Sequence, residues 1–240
     1  AYAFSRSNTS PEVRIKSVEQ LASRYVVNAN NLFDIYRSSP YNDEGKAHNA
    51  KRSVIQLDEA FKTDNKQKKL SALRTAIRVF QHKNLLAQMS TEYEGELKKL
   101  YHSDDERLSD LAIALLNLTD NVSNDFSISR SKSASINCLV DINNKIFTNY
   151  ETDNDFCRLV KKLNIEIIKK GFSGDKEYDE QIEKGLILLE SLNLLGEGLK
   201  TETEELKLGL TMLAKIGLIN LVNEISKELI ALNALKKMAF

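Results

Sequence analysis

His and Cys are the scarcest reactive side chains in this chain of 240 residues, three and two respectively, so metal or acid–base chemistry must begin with them. His48, His82 and His102 fall on different predicted helices or turns. None has a second His or Cys three or four residues away, the spacing that puts two metal ligands on one helix face. His102 precedes Asp104, Asp105 and Glu106, which offer oxygens to a divalent cation. The same acids complement the positive end of a helix, and a capping turn is the reading adopted. Asp153 with Asp155, and Asp141 with Asn143, alternate as calcium ligands do. Neither pair continues to the central Gly and terminal Glu of an EF-hand loop. Gly196-x-Gly198 lacks the third glycine and preceding strand of a dinucleotide site, and no Gly-Lys-Ser/Thr phosphate loop occurs. No serine sits in a Gly-x-Ser-x-Gly elbow. Cys138 or Cys157 beside a distant His would make a thiol nucleophile, but the pair reads instead as two small buried hydrophobes in a reducing compartment. No residue is therefore assigned a catalytic, cofactor-binding or metal-binding role, and no cofactor is expected.

Two features point to binding. Residues 46–83 contain ten Lys or Arg against Asp58, Glu59 and Asp64. Within them Arg74, Arg78 and His82 fall at i, i+4 and i+8, one line along a helix, with Lys68 among the neighbouring lysines. Guanidinium forks in a row suit phosphate or carboxylate recognition, as in an anion-binding module for an acidic protein patch, a phosphoinositide or other anionic lipid head group, or RNA. Aromatics do not interleave with these charges, which weighs against nucleic acid. A solvated helix face is the plainer alternative. The second feature is the C-terminal stripe, where Leu232, Leu235, Met238 and Phe240 continue the apolar character to the last residue. It is either core or a face for a partner protein or a second copy of the chain. Glu202, Glu204, Glu205, Glu224 and Glu228 would meet anionic lipid unfavourably, which argues against insertion into a membrane surface.

Composition narrows the class. Lys+Arg and Asp+Glu are equal at 34 each, which argues against a dedicated nucleic-acid binder. The balance hides a modest dipole: residues 1–100 hold 17 basic and 11 acidic side chains, and residues 101–240 hold 17 and 23. Such a split steers an approaching partner more than it defines one. No run of about 18 apolar residues exists to span a membrane. No basic region followed by an apolar one marks a signal peptide, and the start at Ala1 rather than Met leaves room for a removed export signal.

Two prolines and nine glycines among abundant Leu, Lys, Glu and Ala predict an all-α protein, a bundle of eight to nine amphipathic helices. Residues 1–9 read as a tail. Ser10-Pro11-Glu12 reads as a helix start, and the seam Val18, Ala22, Tyr25, Ala29, Leu32 and Tyr36 predicts one long helix to about Arg37. Further seams are Ala47, Ala50, Val54, Leu57 and Phe61, and then Leu70, Leu73, Ile77 and Phe80 on to Leu85 and Leu86. Thr91-x-x-Glu94, Ser103-x-x-Glu106 and Thr201-x-x-Glu204 fit the capping box. An antiparallel N-terminal bundle over 10–122 is thus expected, then a Ser-rich loop at 123–135 and a C-terminal helical lobe over 136–240. In that lobe Tyr178, Ile182, Leu186, Leu189 and Leu192 form one apolar line. Gly171 and Gly217 read as C-caps, the latter separating two final helices.

No specific motif assigns a family. The Lys-, Asn- and Ile-rich helices, the few cysteines, and Glu224 and Glu228 before Met238-Ala239-Phe240 resemble helical substrates exported by intracellular bacteria. That resemblance implies an effector in the cytoplasm or reducing interior of a host cell. The function expected from the residues is a non-enzymatic protein–protein interaction module.

Overall fold

A computed structural model of the chain describes residues 11–39, 49–119, 131–147, 155–170, 179–196 and 202–239. Among the described residues every regular element is a helix, and there are twelve. They are α1 Pro11–Ala22, α2 Ala29–Ser38, α3 Asn49–Phe61, α4 Lys66–His82, α5 Leu86–Glu92 and α6 Glu94–Tyr101. After these come α7 Glu106–Leu116, α8 Ala134–Asn143, α9 Asp155–Lys170, α10 Asp179–Leu195, α11 Thr203–Lys215 and α12 Ile219–Ala239. The chain divides into two compact units, one of Ala1–Val122 with Leu235–Phe240, the other of Ser123–Ala234. The last six residues thus belong with the first unit, although their sequence neighbours belong to the second.

The helices outnumber the eight to nine expected because several seams are cut by turns that no glycine announces. Tyr25, Asn84 and Lys145 take φ of 57°, 55° and 56°, and Gly217 takes 88°. At each, the next residue's N–H returns to a carbonyl five residues back: Val26 to Leu21, Leu85 to Phe80, Ile146 to Asp141 and Leu218 to Leu213. These are Schellman C-caps, which satisfy the carbonyls that a helix end leaves open. The long first helix is therefore two, α1 and α2, with Asn28 Oδ1 accepting from Asn31 N at 2.9 Å to start the second. Tyr25 leaves the seam in which its spacing placed it and is exposed. The apolar run beyond Phe80 is cut at Asn84 in the same way.

The caps also differ in detail. Thr91 lies inside α5, where its hydroxyl donates to Ala87 O, so Thr91-x-x-Glu94 is no capping box. Asp105, not Ser103, caps α7 by accepting from Arg107 N at 3.0 Å, while Ser103 Oγ accepts from Asp105 N. Thr201 and Gly171 lie outside the described residues.

The first unit is built around an aromatic cluster. Phe33 stacks on Phe80 at 5.5 Å and meets Tyr36 and Tyr93 edge-on at 5.6 and 5.7 Å. All four rings are buried, and they come from α2, α4 and the turn after α5. Burial of each such side chain contributes roughly 1.5–3 kcal/mol, which is what holds these short helices in place. Leu70, Leu73 and Ile77 of α4 and Leu108, Leu111 and Leu115 of α7 extend the same interior.

The second unit has its own core of Leu163, Leu210, Leu213, Ala214 and Val222, with Leu159, Leu188, Leu195 and Ile225 packed against it. α10 and α11 approach closely at Gly209, where a Cβ would stand 2.9 Å from Leu195 Cγ and 3.2 Å from Ser191 O. Here the glycine is required by contact rather than by φ. One expectation fails outright in this unit. Cys138 and Cys157 are not free thiols but a disulfide joining α8 to α9, with Cα atoms 5.9 Å apart. The bond brings together two side chains that stand 19 positions apart in sequence.

Candidate functional site

α4 positions the basic row. Asn65 caps it by accepting from Lys68 N at 2.9 Å, and Leu70, Leu73, Ile77 and Phe80 fix its rotation by burial. Lys68, Arg78 and His82 are consequently exposed and Arg74 is half-buried. One member of the row is already engaged within the chain. Arg78 Nε donates to the carbonyl of Ala239 at 2.6 Å, so this guanidinium sits at the C-terminal end of α12. A cation there answers both the open carbonyls and the negative end of the helix dipole. Arg74 Nε is buried with no hydrogen-bond partner. Lys66, at the start of the helix, pairs with Asp104.

The C-terminal stripe is mostly interior. Leu235 and Ala239 are buried, as are Leu229, Ile230, Ala231 and Ala234 before them. Leu232 and Met238 are half-buried. Phe240 lies outside the described residues.

Charged clusters that the sequence did not reveal are structural in form. Arg37 of α2 donates to both oxygens of Asp58 on α3, at 2.9 and 3.1 Å, and to Glu92 of α5 at 2.6 Å. Tyr93 Oη donates to Asp58 at 2.8 Å. Burial alone would raise the Asp58 carboxyl; the hydrogen bonds from Arg37 and Tyr93 outweigh it and hold the group below its ordinary range. Burial and the Asp58 hydrogen bond raise the Tyr93 phenol. In the same way burial, then the Glu19 carboxylate, raises Tyr36, whose Oη donates to Glu19 at 2.8 Å. Lys83 completes that pair from the other side at 2.7 Å. In the second unit the buried Lys161 pairs with Asp141. Each of these charges is matched by a neighbour, and no open acid–base couple results. Sequence spacing could not find them, because Arg37, Asp58 and Glu92 meet only once three helices pack.

The remaining candidates disperse. Among the described residues no group of three His, Cys, Asp or Glu side chains is placed to hold a metal ion. Asp105 is spent on the α7 cap, as the capping reading requires, and His102 packs its ring edge-on to Tyr101 at 4.4 Å. Asp141 faces Lys161 rather than Asn143. His48, Asp153 and Gly198 lie outside the described residues. With both sulfurs in the disulfide, neither cysteine is a nucleophile. Among the described residues no helix is long and apolar enough to cross a membrane.

An apolar surface stands where sequence spacing placed core. Leu186, Leu189 and Leu192 of α10 are 63%, 66% and 46% exposed, while Leu188, Ser191 and Leu195 take the inward side. Leucines occupy both faces of this helix, so spacing did not say which was inside. Leu208 on the neighbouring α11 is exposed as well. Scattered apolar side chains are normal on a surface, but three in successive turns of one helix form a continuous strip. Ile182 belongs to α10 and Tyr178 lies outside the described residues.

No protein-family model, curated protein or solved structure matches this chain.

Proposed function

We propose that this chain is a non-enzymatic helical module that binds protein, and that α10 is its contact face. The observation that carries the reading is the exposed strip Leu186, Leu189 and Leu192. An apolar strip at i, i+3 and i+6 spans about 120° of a helix surface, which fits the flank of another helix. It contributes through water released on contact, roughly 25 cal/mol for each Å² covered. The competing surfaces support the same choice. The basic face of α4 gives up Arg78 to the chain's own backbone, and the C-terminal stripe spends Leu235 and its neighbours on the interior.

The disulfide modifies the setting. Such bonds persist in oxidising compartments and are rare in the cytosol, so an exported protein fits better than one acting in a reducing host interior. The resemblance to bacterial effectors of the host cytoplasm is not carried forward.

Affinity capture with the intact chain tests the reading. Leu186→Glu with Leu189→Glu is expected to abolish retention of the bound protein while leaving Tm unchanged, because both side chains are already exposed. Retention unaffected by that double change, but lost with Arg74→Glu and Arg78→Glu, would move the site to α4.

A further inference from the structure

We infer that the corner between α1 and α2 docks on an anionic lipid surface, with Tyr25 and Val26 entering the headgroup layer and Lys16 and Arg24 beside the lipid phosphates. This surface is separate from α10, and its partner is of a different class.

Among the described residues of the first unit, three large apolar side chains remain exposed, and all lie between positions 13 and 26. Val13, on α1, is 52% exposed. Tyr25 and Val26, in the turn that follows, are 75% and 68% exposed, more than any other large apolar side chain described. Tyr25 takes the left-handed φ of 57° that closes the helix end, a position where glycine would serve the backbone better. The aromatic ring adds apolar surface at a tip where the cap itself needs none.

Charge says what the corner meets. Arg14, Lys16 and Arg24 are exposed, and among the described residues none of the three has an ion pair or a hydrogen bond. Lys16 follows Val13 by three positions, on the same side of α1, and Arg24 adjoins Tyr25. No Asp or Glu occurs between Glu19 and Asp34. Those two acids are themselves engaged, Glu19 by Tyr36 and Lys83, and Asp34 by Arg37 at 3.8 Å. Glu12 stands seven positions before Glu19, on Glu19's line of the helix rather than Val13's. The corner is therefore a positive field around an aromatic and an aliphatic tip. Anionic headgroups answer the charge, and a Tyr ring sits favourably at headgroup depth, with its apolar body in the bilayer and its hydroxyl in water.

Shape separates lipid from an acidic protein. Two side chains protruding from a helix corner cover far less than the about 800 Å² per partner of a standard protein interface. A fluid lipid surface closes around such a tip without needing a matching recess. With one small apolar anchor and a few cations, the attachment is reversible.

Co-sedimentation of the full chain with phosphatidylcholine vesicles, alone or containing about 30% phosphatidylserine, tests the inference. Binding is expected to the mixed vesicles and not to phosphatidylcholine alone, and it should weaken as salt is raised. Lys16→Gln with Arg24→Gln should lower the partition constant about 25-fold, about fivefold for each cation. Tyr25→Gly and, separately, Val26→Ser should each lower it several-fold. Tyr25→Trp gives the chain its single tryptophan, whose emission should shift to the blue on the mixed vesicles. No binding to the mixed vesicles overturns the inference, as does binding indifferent to the Lys16 and Arg24 changes or an unshifted Tyr25→Trp emission. Vesicle binding lost only with Leu186→Glu and Leu189→Glu, or only with Arg74→Glu and Arg78→Glu, also overturns it and moves the lipid contact to α10 or α4. A chain that ignores vesicles but captures an acidic protein through Arg24 overturns the lipid surface in favour of that protein. Loss of a bound protein on Leu186→Glu with Leu189→Glu, whatever the vesicles show, leaves the proposed function standing.

Discussion

Asp58 shows how single residues in this chain are committed to architecture. Its carboxylate takes two hydrogen bonds from Arg37 and one from Tyr93, three donors on two other segments of the chain. A carboxyl whose folded-state value is depressed contributes stability above its unfolded value, near 3.9, and loses it as pH falls through the folded value. Tm should therefore decline on acidification from about pH 5 toward about pH 2. In Arg37→Met the carboxyl loses two of its donors, so Tm at neutral pH falls and the acid-side decline becomes shallower. Thermal melts of both proteins over that range check this; parallel pH profiles would show that the Arg37 pair is too well solvated to matter. The same scale explains what the sequence concealed. Tyr25, Asn84 and Lys145 occupy left-handed positions that glycine usually marks, each at a cost of about 1 kcal/mol, and only Gly217 was announced by residue type.

At the scale of elements, helix identity was legible and helix orientation only partly so. Seams such as Leu70, Leu73, Ile77 and Phe80 on α4 point inward as their spacing predicts, because the large apolar residues other than Val79 lie on one side of that helix. α10 carries leucines all round, so its period could not choose between Leu188 inside and Leu189 outside. What decides is α11, whose backbone approaches at Gly209 and claims the side bearing Ser191 and Leu195. Gly209→Ala would push a methyl group against Leu195 and the Ser191 carbonyl. It should lower stability by about 1–3 kcal/mol, as overpacking does, even though Ala is the better helix former. Chemical denaturation measures it, and a stabilised Gly209→Ala would mean that the two helices are less tightly apposed. The disulfide belongs to this scale too. Nineteen residues of separation say nothing about pairing until α8 and α9 fold back on each other. A closed loop of that length is worth about 3 kcal/mol on the chain-entropy account, a large share of a domain's net stability.

For the whole molecule, the account is one of saturation. Among the described residues Arg37, Asp58, Glu92, Glu19 and Lys83 meet opposite charges where their helices pack, the cysteines meet each other, and Arg78 of the basic row meets the chain's own C-terminal helix, while Arg74 Nε is left without a partner. The absence of a long apolar run already spoke against a membrane span, and zero net charge against a dedicated nucleic-acid binder, which is as far as composition reaches. The candidate surface was not legible at all. It depends on which leucines remain once packing is complete, and that is a property of the assembled unit rather than of any segment. The most direct measurement is site-specific photo-crosslinking, with a photoreactive side chain placed either at position 186 on α10 or at position 75 on the outer face of α4. The account predicts protein adducts, with a second copy or another chain, from position 186 and none from position 75. Adducts from 75 alone, or none from 186, would contradict it.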